Sequence, residues 1–157
     1  PVTLLACQSA DEMYQQVMEN INEQDIFIAT AAVADYRMES IAAEKIKKSD
    51  DEMNLKLVKT EDILASVAAL VNKPFCVGFA AETSHLEQYA QGKLKNKKLD
   101  LIAANRVDDP ESGFEVENNA LNVYWNNGSK QLSLKPKSLI AVELIDIITE
   151  LFKSSRN

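Results

Sequence analysis

A chain of 157 residues, 46% of them hydrophobic, can bury one core unaided, and four glycines and four prolines leave no room for a low-complexity linker. The net charge of −7 argues against general binding to nucleic acid or to an anionic membrane, while leaving open a small anionic ligand met by local lysines. No apolar run approaches the roughly 18 residues that span a bilayer, and Pro1 to Cys7 lack the regions of a signal peptide, so a cytoplasmic protein is expected.

Val2 to Ala6 read as a short buried strand. Ser9-Ala10-Asp11-Glu12 is a capping box, and Met13, Val17 and Ile21 continue it at helical spacing, predicting a helix over 10–23. Ile26 to Ala29 form a continuous apolar run, as in a strand covered on both faces. Small residues Thr30 to Ala34 follow and end at Asp35. The polar stretch 37–54 reads as a loop or flap, with a helical turn allowed over Ile41 to Lys47.

Leu55 to Leu57 alternate as a strand, and Thr60 is placed to cap a helix with Ile63, Leu64, Val67, Leu70 and Val71 on its buried side. Phe75 to Phe79 form a strand, Leu86 to Leu94 a helix, and Leu99 to Ala103 a further strand. After a loop over 105–119, Leu121, Val123 and Trp125 alternate with polar residues up to a turn at Asn127-Gly128, with Leu132 and Leu134 beyond it. Pro136 suits the first turn of a last helix burying Leu139, Ile140, Leu144, Ile147, Ile148 and Leu151. Strand–helix alternation predicts an α/β fold, a single domain over 1–157, with a mostly parallel sheet, helices on both faces and an antiparallel edge hairpin. Ligands in such folds collect at the carboxyl ends of the strands.

The residues there have two readings each. Asp35 is a carboxylate for a ribose or a magnesium ion, or a loop acid that ends a strand. Lys45, Lys47 and Lys48 would neutralise a polyphosphate, or are a solvated charge run. Lys93 and Lys97 share a helix face and could clamp one polyanion, or are solvated lysines that suit a helix end. Phe79 stacks on a base or fills the core. Cys7 and Cys76 read as buried free thiols. His85 is the single histidine, so a histidine-built zinc site is excluded and a histidine triad has no support. Walker-type and G-x-G-x-x-G loops are absent, as is a G-x-S-x-G elbow.

Taken in order, Ala31-Ala32-Val33-Ala34-Asp35-Tyr36, Lys45-Ile46-Lys47-Lys48, Val77 to Thr83, Lys93-Leu94-Lys95-Asn96-Lys97 and Asp100 to Asn105 resemble the phosphopantothenoylcysteine synthetase domain, a phosphopantothenate–cysteine ligase. The likeness is to the form fused behind a flavin-dependent decarboxylase in a bacterial bifunctional protein, and it covers nearly the whole chain. It implies a Rossmann-like fold and a homodimer. It also implies a CTP-dependent, magnesium-dependent reaction of 4′-phosphopantothenate with cysteine through an acyl-cytidylate, as a step of coenzyme A biosynthesis. FMN is expected only in the upstream decarboxylase.

Carried over by position, Asp35 holds the ribose and Ala29 lines the nucleotide pocket, where the family commonly has glycine. Lys45 meets the phosphates and assists turnover of the intermediate. Glu61, Asp62, Ile63 and Leu64 match a Pro-Asp-Ile-Val segment with Glu61 in place of proline. Phe79 lies against the nucleotide, and Lys93 and Lys97 bind the triphosphate. The family's opening strand–helix–strand unit, with its Ile-Ser-Asn-x-Ser-Ser-Gly motif, has no counterpart here, so the sequence is expected to be the later part of such a domain. A nucleotide-binding module without full catalytic equipment, or an unrelated Rossmann-like enzyme using NAD or S-adenosylmethionine, are the rival expectations.

Overall fold

The computed structural model describes residues 2–42, 44–46, 53–106 and 116–156. In chain order these form α1 (Ala10–Asn20), a 3-10 turn (Ile21–Glu23), β1 (Ile26–Ala29), β2 (Tyr36–Met38) and β3 (Leu57–Lys59). Then come α2 (Ile63–Ala68), β4 (Phe75–Glu82), α3 (Leu86–Asn96), β5 (Leu101–Arg106), β6 (Asn118–Trp125), β7 (Gly128–Pro136) and α4 (Lys137–Ser155).

The main sheet has five strands in the order β1-β4-β5-β6-β7. β1, β4 and β5 pair in parallel, β6 runs against β5, and β7 returns along β6. This is the Rossmann-like sheet with an antiparallel edge hairpin that the sequence predicts. β2 and β3 form a separate antiparallel pair, with Met38 opposite Leu57.

Successive side chains of a strand point to opposite faces, and the two cores follow that alternation. Cys76 and Ala80 of β4, with Ile102 and Ala104 of β5, pack with Val67 of α2 and Ala90 and Leu94 of α3. Phe75 and Val77, with Leu101 and Ala103, pack instead with Ile140, Leu144, Ile147 and Ile148 of α4. Each fully buried valine, leucine or isoleucine among them stabilises the fold by about 1.5–3 kcal/mol relative to exposure. Gly78 lets helix and sheet approach closely: a Cβ there would stand 2.9 Å from Leu64 Cδ2 and from Leu99 Cδ1.

Several expectations shift on contact with the structure. Val2 to Ala6 are not a strand: among the described residues they have no ladder partner, and Val2 is 97% exposed. β1, an edge strand of the sheet, is only half covered. The capping bond from the Glu12 N–H to Ser9 forms at 3.2 Å, but the Glu12 carboxylate accepts from the Gln8 N–H rather than from Ser9. The stretch over 37–54 opens with β2, and no helical turn forms among its described residues; Lys47 and Lys48 lie outside them. Much of the loop over 105–119 also lies outside them, while β5 runs on to Arg106 and β6 begins at Asn118. Asn126 and Asn127 make the hairpin turn, flanked by the pair Trp125 and Gly128, one residue earlier than expected. Leu139 is exposed because the apolar run of α4 is wider than the stripe its sheet can cover.

The start of α2 is the most consequential shift. Asp62, not Thr60, is the cap: its carboxylate accepts the Ala65 N–H at 3.0 Å. The helix then stops at Ala68, which leaves Val71 99% exposed. The same Asp62 carboxylate meets Lys97 Nζ at 2.6 Å, and Lys97 is the C-cap of α3. Two helix ends are thus tied through one side chain.

Burial pushes the Asp62 carboxyl upward, but the bonds from Lys97 and Ala65 and the Lys97 charge outweigh it and hold the group below 3.8. A carboxyl lowered by folding adds stability that is whole above its unfolded value and is lost as pH falls through the folded one. Thermal melts between pH 5 and pH 2 should therefore show wild type losing stability below about 3.8 more steeply than Asp62→Asn, whose amide still caps but does not ionise. Identical pH profiles for the two proteins would refute the coupling.

Candidate functional site

The apolar run of β1 ends at Ala29, and the chain then leaves the sheet through Thr30 to Ala34, residues too small to fill the space above the strand end. A cavity of about 510 Å³ opens there. Its walls come from the carboxyl end of β1, the approach to α2, Phe79 of β4 and the last turn of α3, with Met13, Gln16 and Val17 of α1 on another side. It takes in both faces of β1, since Phe27 belongs to the α1–α3 core and Ile28 to the α4 core.

Ala29, Asp35, Glu61, Asp62, Ile63, Leu64, Phe79, Lys93 and Lys97 all line this cavity. Segments far apart in the chain are brought together by the parallel pairing of β1 with β4 and by the seating of α2 and α3 on one face. Lys45 is not among the lining residues; it is exposed in the segment beyond β2. The Asp35 carbonyl accepts the Thr60 N–H at 2.9 Å, which continues the β2–β3 pairing by one step and holds Asp35 beside the approach to α2.

The electrostatics combine cations with matched acids. Lys93 Nζ meets Glu82 Oε1 at 2.7 Å, and Lys97 Nζ meets Asp62 Oδ2 at 2.6 Å. Both ammonium groups are partly exposed, so a multiply charged anion can exchange for the carboxylates, whose attraction water already screens. The site offers cations, a carboxylate, a ring and a small-residue wall. Those are the parts for binding and orienting a phosphorylated ligand.

A nucleophile within the protein is harder to find. Burial pushes the Cys76 thiol up to about 11, so it stays protonated near neutral pH. Cys7 lines the cavity as a half-buried free thiol rather than a buried one as expected. Among the described residues, no cluster of three or more histidine, cysteine or acidic side chains is arranged to hold a metal, and no helix is long and apolar enough to cross a membrane.

Sequence reasoning missed Glu82, which faces Lys93, and the contributions of Thr60, Met13 and Gln16. Thr60 was legible only as a helix cap, because Thr followed by two acids fits a capping pattern as well as a cavity wall. Met13 and Gln16 carry no local signal, since their place depends on how α1 docks.

Comparison with known proteins gives a consistent assignment. A bifunctional coenzyme A biosynthesis protein CoaBC of Vibrio vulnificus is 48% identical over 153 residues, 96% of this chain and 38% of the relative. The CoaBC of Escherichia coli K12 is 47% identical over 153 residues, 94% of this chain and 38% of the relative. That of Bacillus subtilis is 38% identical over 149 residues, 94% of this chain and 37% of the relative. The chain therefore spans little more than a third of the length of these curated relatives.

Among solved structures, a C-terminal domain of CoaBC superposes with a TM-score of 0.75 at 30% identity, covering 94% of this chain and 65% of that one. The family model for the DNA/pantothenate metabolism flavoprotein C-terminal domain matches residues 1–152. With nearly every residue inside that match and the fold shared, the chain belongs to the family of DNA/pantothenate metabolism flavoprotein C-terminal domains.

Proposed function

We propose that this chain binds CTP and contributes to the ligation of 4′-phosphopantothenate with cysteine in coenzyme A biosynthesis. The observation that carries the reading is the convergence of Asp35, Asp62, Phe79, Lys93 and Lys97 on one cavity at a strand end, in a chain 48% identical to a coenzyme A biosynthesis protein. In the first step a phosphopantothenate carboxylate oxygen attacks the α-phosphorus of CTP. The bond to pyrophosphate breaks, giving an acyl-cytidylate. In the second the cysteine amine attacks the acyl carbon, the acyl–phosphate bond breaks, CMP leaves and the amine gives up a proton.

Such chemistry asks the protein for position and charge rather than for a nucleophile, which suits a cavity lined by cations, carboxylates and a ring. Asp35 would accept from the ribose, the Ala29 backbone and the Phe79 ring would flank the nucleoside, and Glu61 to Leu64 would border it. Lys93 and Lys97 would leave Glu82 and Asp62 for the outer phosphates. Magnesium would enter with the triphosphate, since it is commonly held by one or two carboxylates plus phosphate oxygens, and Asp35, Glu61 and Asp62 line the cavity. It would neutralise charge on the departing pyrophosphate. Lys45, exposed outside the cavity, suits a role in turnover rather than in resting affinity.

We also propose that two copies associate through the β2–β3 arm, which exposes Tyr36, Met38, Leu55 and Leu57. A two-stranded pair is marginal in water by itself, and its free edge is self-complementary to a second copy. Sedimentation should report a dimer that Leu57→Asp dissociates; a wild-type monomer at micromolar concentration would sink this.

Calorimetric titration of the chain with Mg-CTP, Mg-ATP and NAD tests the main reading. Selective CTP binding is the expected result. Folded protein that binds none of them counts against the cavity as a nucleotide site, and saturable NAD binding would point to a different Rossmann-like activity. Within that assay, Lys93→Ala and Lys97→Ala should each weaken CTP more than CMP, while Lys45→Gln leaves CTP affinity nearly unchanged. In a ligation assay Lys45→Gln should slow turnover at least about tenfold. Equal losses for CTP and CMP, or wild-type turnover by Lys45→Gln, would overturn those roles.

A further inference from the structure

One polar group in the cavity has no part in the chemistry described so far. Thr60 stands between β3 and α2 and lines the cavity. Its hydroxyl oxygen is buried, and among the described residues it has no hydrogen-bond partner. The two cavity lysines and the Asp62 carboxylate are engaged: Lys93 with Glu82, Lys97 with Asp62, and Asp62 with the Ala65 N–H as well. A ligand must displace those partners to reach them. At Thr60 it displaces nothing, and it satisfies a buried hydroxyl that is otherwise left unpaired, which is the costly state for such a group.

The backbone shows which end of a ligand this hydroxyl serves. The Thr60 N–H donates to the Asp35 carbonyl at 2.9 Å, so the two residues stand side by side on the cavity wall. A carboxylate only accepts hydrogen bonds, whereas a hydroxyl can both donate and accept. Together they match a vicinal sugar diol, one partner taking a sugar proton and the other supplying or receiving one. Rotation about χ1 from one staggered well to the next re-aims the Thr60 hydroxyl with no movement of the backbone, so a bound sugar can draw the oxygen out of its unpaired position.

We infer that Thr60 is a sugar-binding residue of the nucleotide site, its hydroxyl acting beside Asp35 to select a ribonucleotide. This rests on the nucleotide reading above and deepens it. The hydroxyl adds affinity on binding and gives nothing to the ligand-free fold, whereas a structural threonine would do the reverse.

The test is calorimetry with Mg-CTP and with its 2′-deoxy and 3′-deoxy analogues, together with thermal melts, on wild type, Thr60→Val and Thr60→Ser. Thr60→Val keeps the shape and removes the hydroxyl. It should weaken CTP about two- to tenfold, with a ligand-free Tm equal to or above that of wild type. Thr60→Ser should bind CTP close to wild type. The valine deficit should vanish on one deoxy analogue, the one lacking the hydroxyl that Thr60 meets. Unchanged CTP affinity in Thr60→Val overturns the inference, as does a marked fall in its ligand-free Tm, which would mean the hydroxyl is bonded within the fold. An equal deficit on CTP and on both analogues would move the contact off the sugar and overturn it too. Failure of wild type to bind CTP would instead remove the nucleotide reading itself, so the two failures are distinct.

Discussion

The Asp62 carboxylate is the constraint on which the cavity depends. One oxygen closes the first turn of α2 by accepting the Ala65 N–H, and the other holds Lys97 at the end of α3. Without the cap, α2 would begin with unpaired N–H groups at the cavity wall. Without the ion pair, the Lys97 ammonium would be free to turn into solvent. Since α2 has only six residues, it draws little from its own helix bonds and holds its place by the cap and by packing Ile63, Val67 and Ala68. Gly78 completes the arrangement, because only a bare Cα lets Leu64 and Leu99 close over β4 at that point.

The fold was legible where local patterns and tertiary outcome agree. Ile26 to Ala29, Phe75 to Phe79 and Leu99 to Ala103 are mainly apolar runs with few alternatives to a parallel strand, and all three contributed one, although β1 at the edge is only half covered. The alternation around Trp125 gave the hairpin, although the turn settled on Asn126-Asn127 because Gly128 already pairs with Trp125. The misses fall where a residue's state depends on a neighbour that pattern cannot supply. Val2 to Ala6 have the composition of a strand, yet a strand exists only beside another that accepts its hydrogen bonds. Thr60 and Asp62 are both competent caps two residues apart, and the choice between them was made by Lys97, thirty-five positions away from Asp62 in the chain.

The candidate site was legible in a different way. Individually Asp35, Phe79, Lys93 and Lys97 carry weak signals, each with an ordinary structural explanation. Their order along the chain carries the information, since a parallel sheet with helices between its strands returns each strand's carboxyl end to the same edge. The pairing of these lysines with Glu82 and Asp62 was invisible for the converse reason. Glu82 and Lys93 are eleven residues apart across a loop and a helix, a separation that no helical or strand period connects.

Those acids bear on how such a site could discriminate among anions. A bare pair of lysines would attract any phosphate, but here each ammonium already has a carboxylate within 2.7 Å. An anion must therefore offer more than the carboxylate it replaces. A monophosphate exchanges one strong hydrogen-bonding anion for another and gains little. A triphosphate can replace both carboxylates at once, and the second exchange takes place on a ligand already held by the first. The displaced carboxylates then stand beside a more highly charged ligand, where a magnesium ion would offset the repulsion. Matched acids of this kind turn a cluster of lysines from a general anion trap into a site that favours the ligand able to reach both cations together.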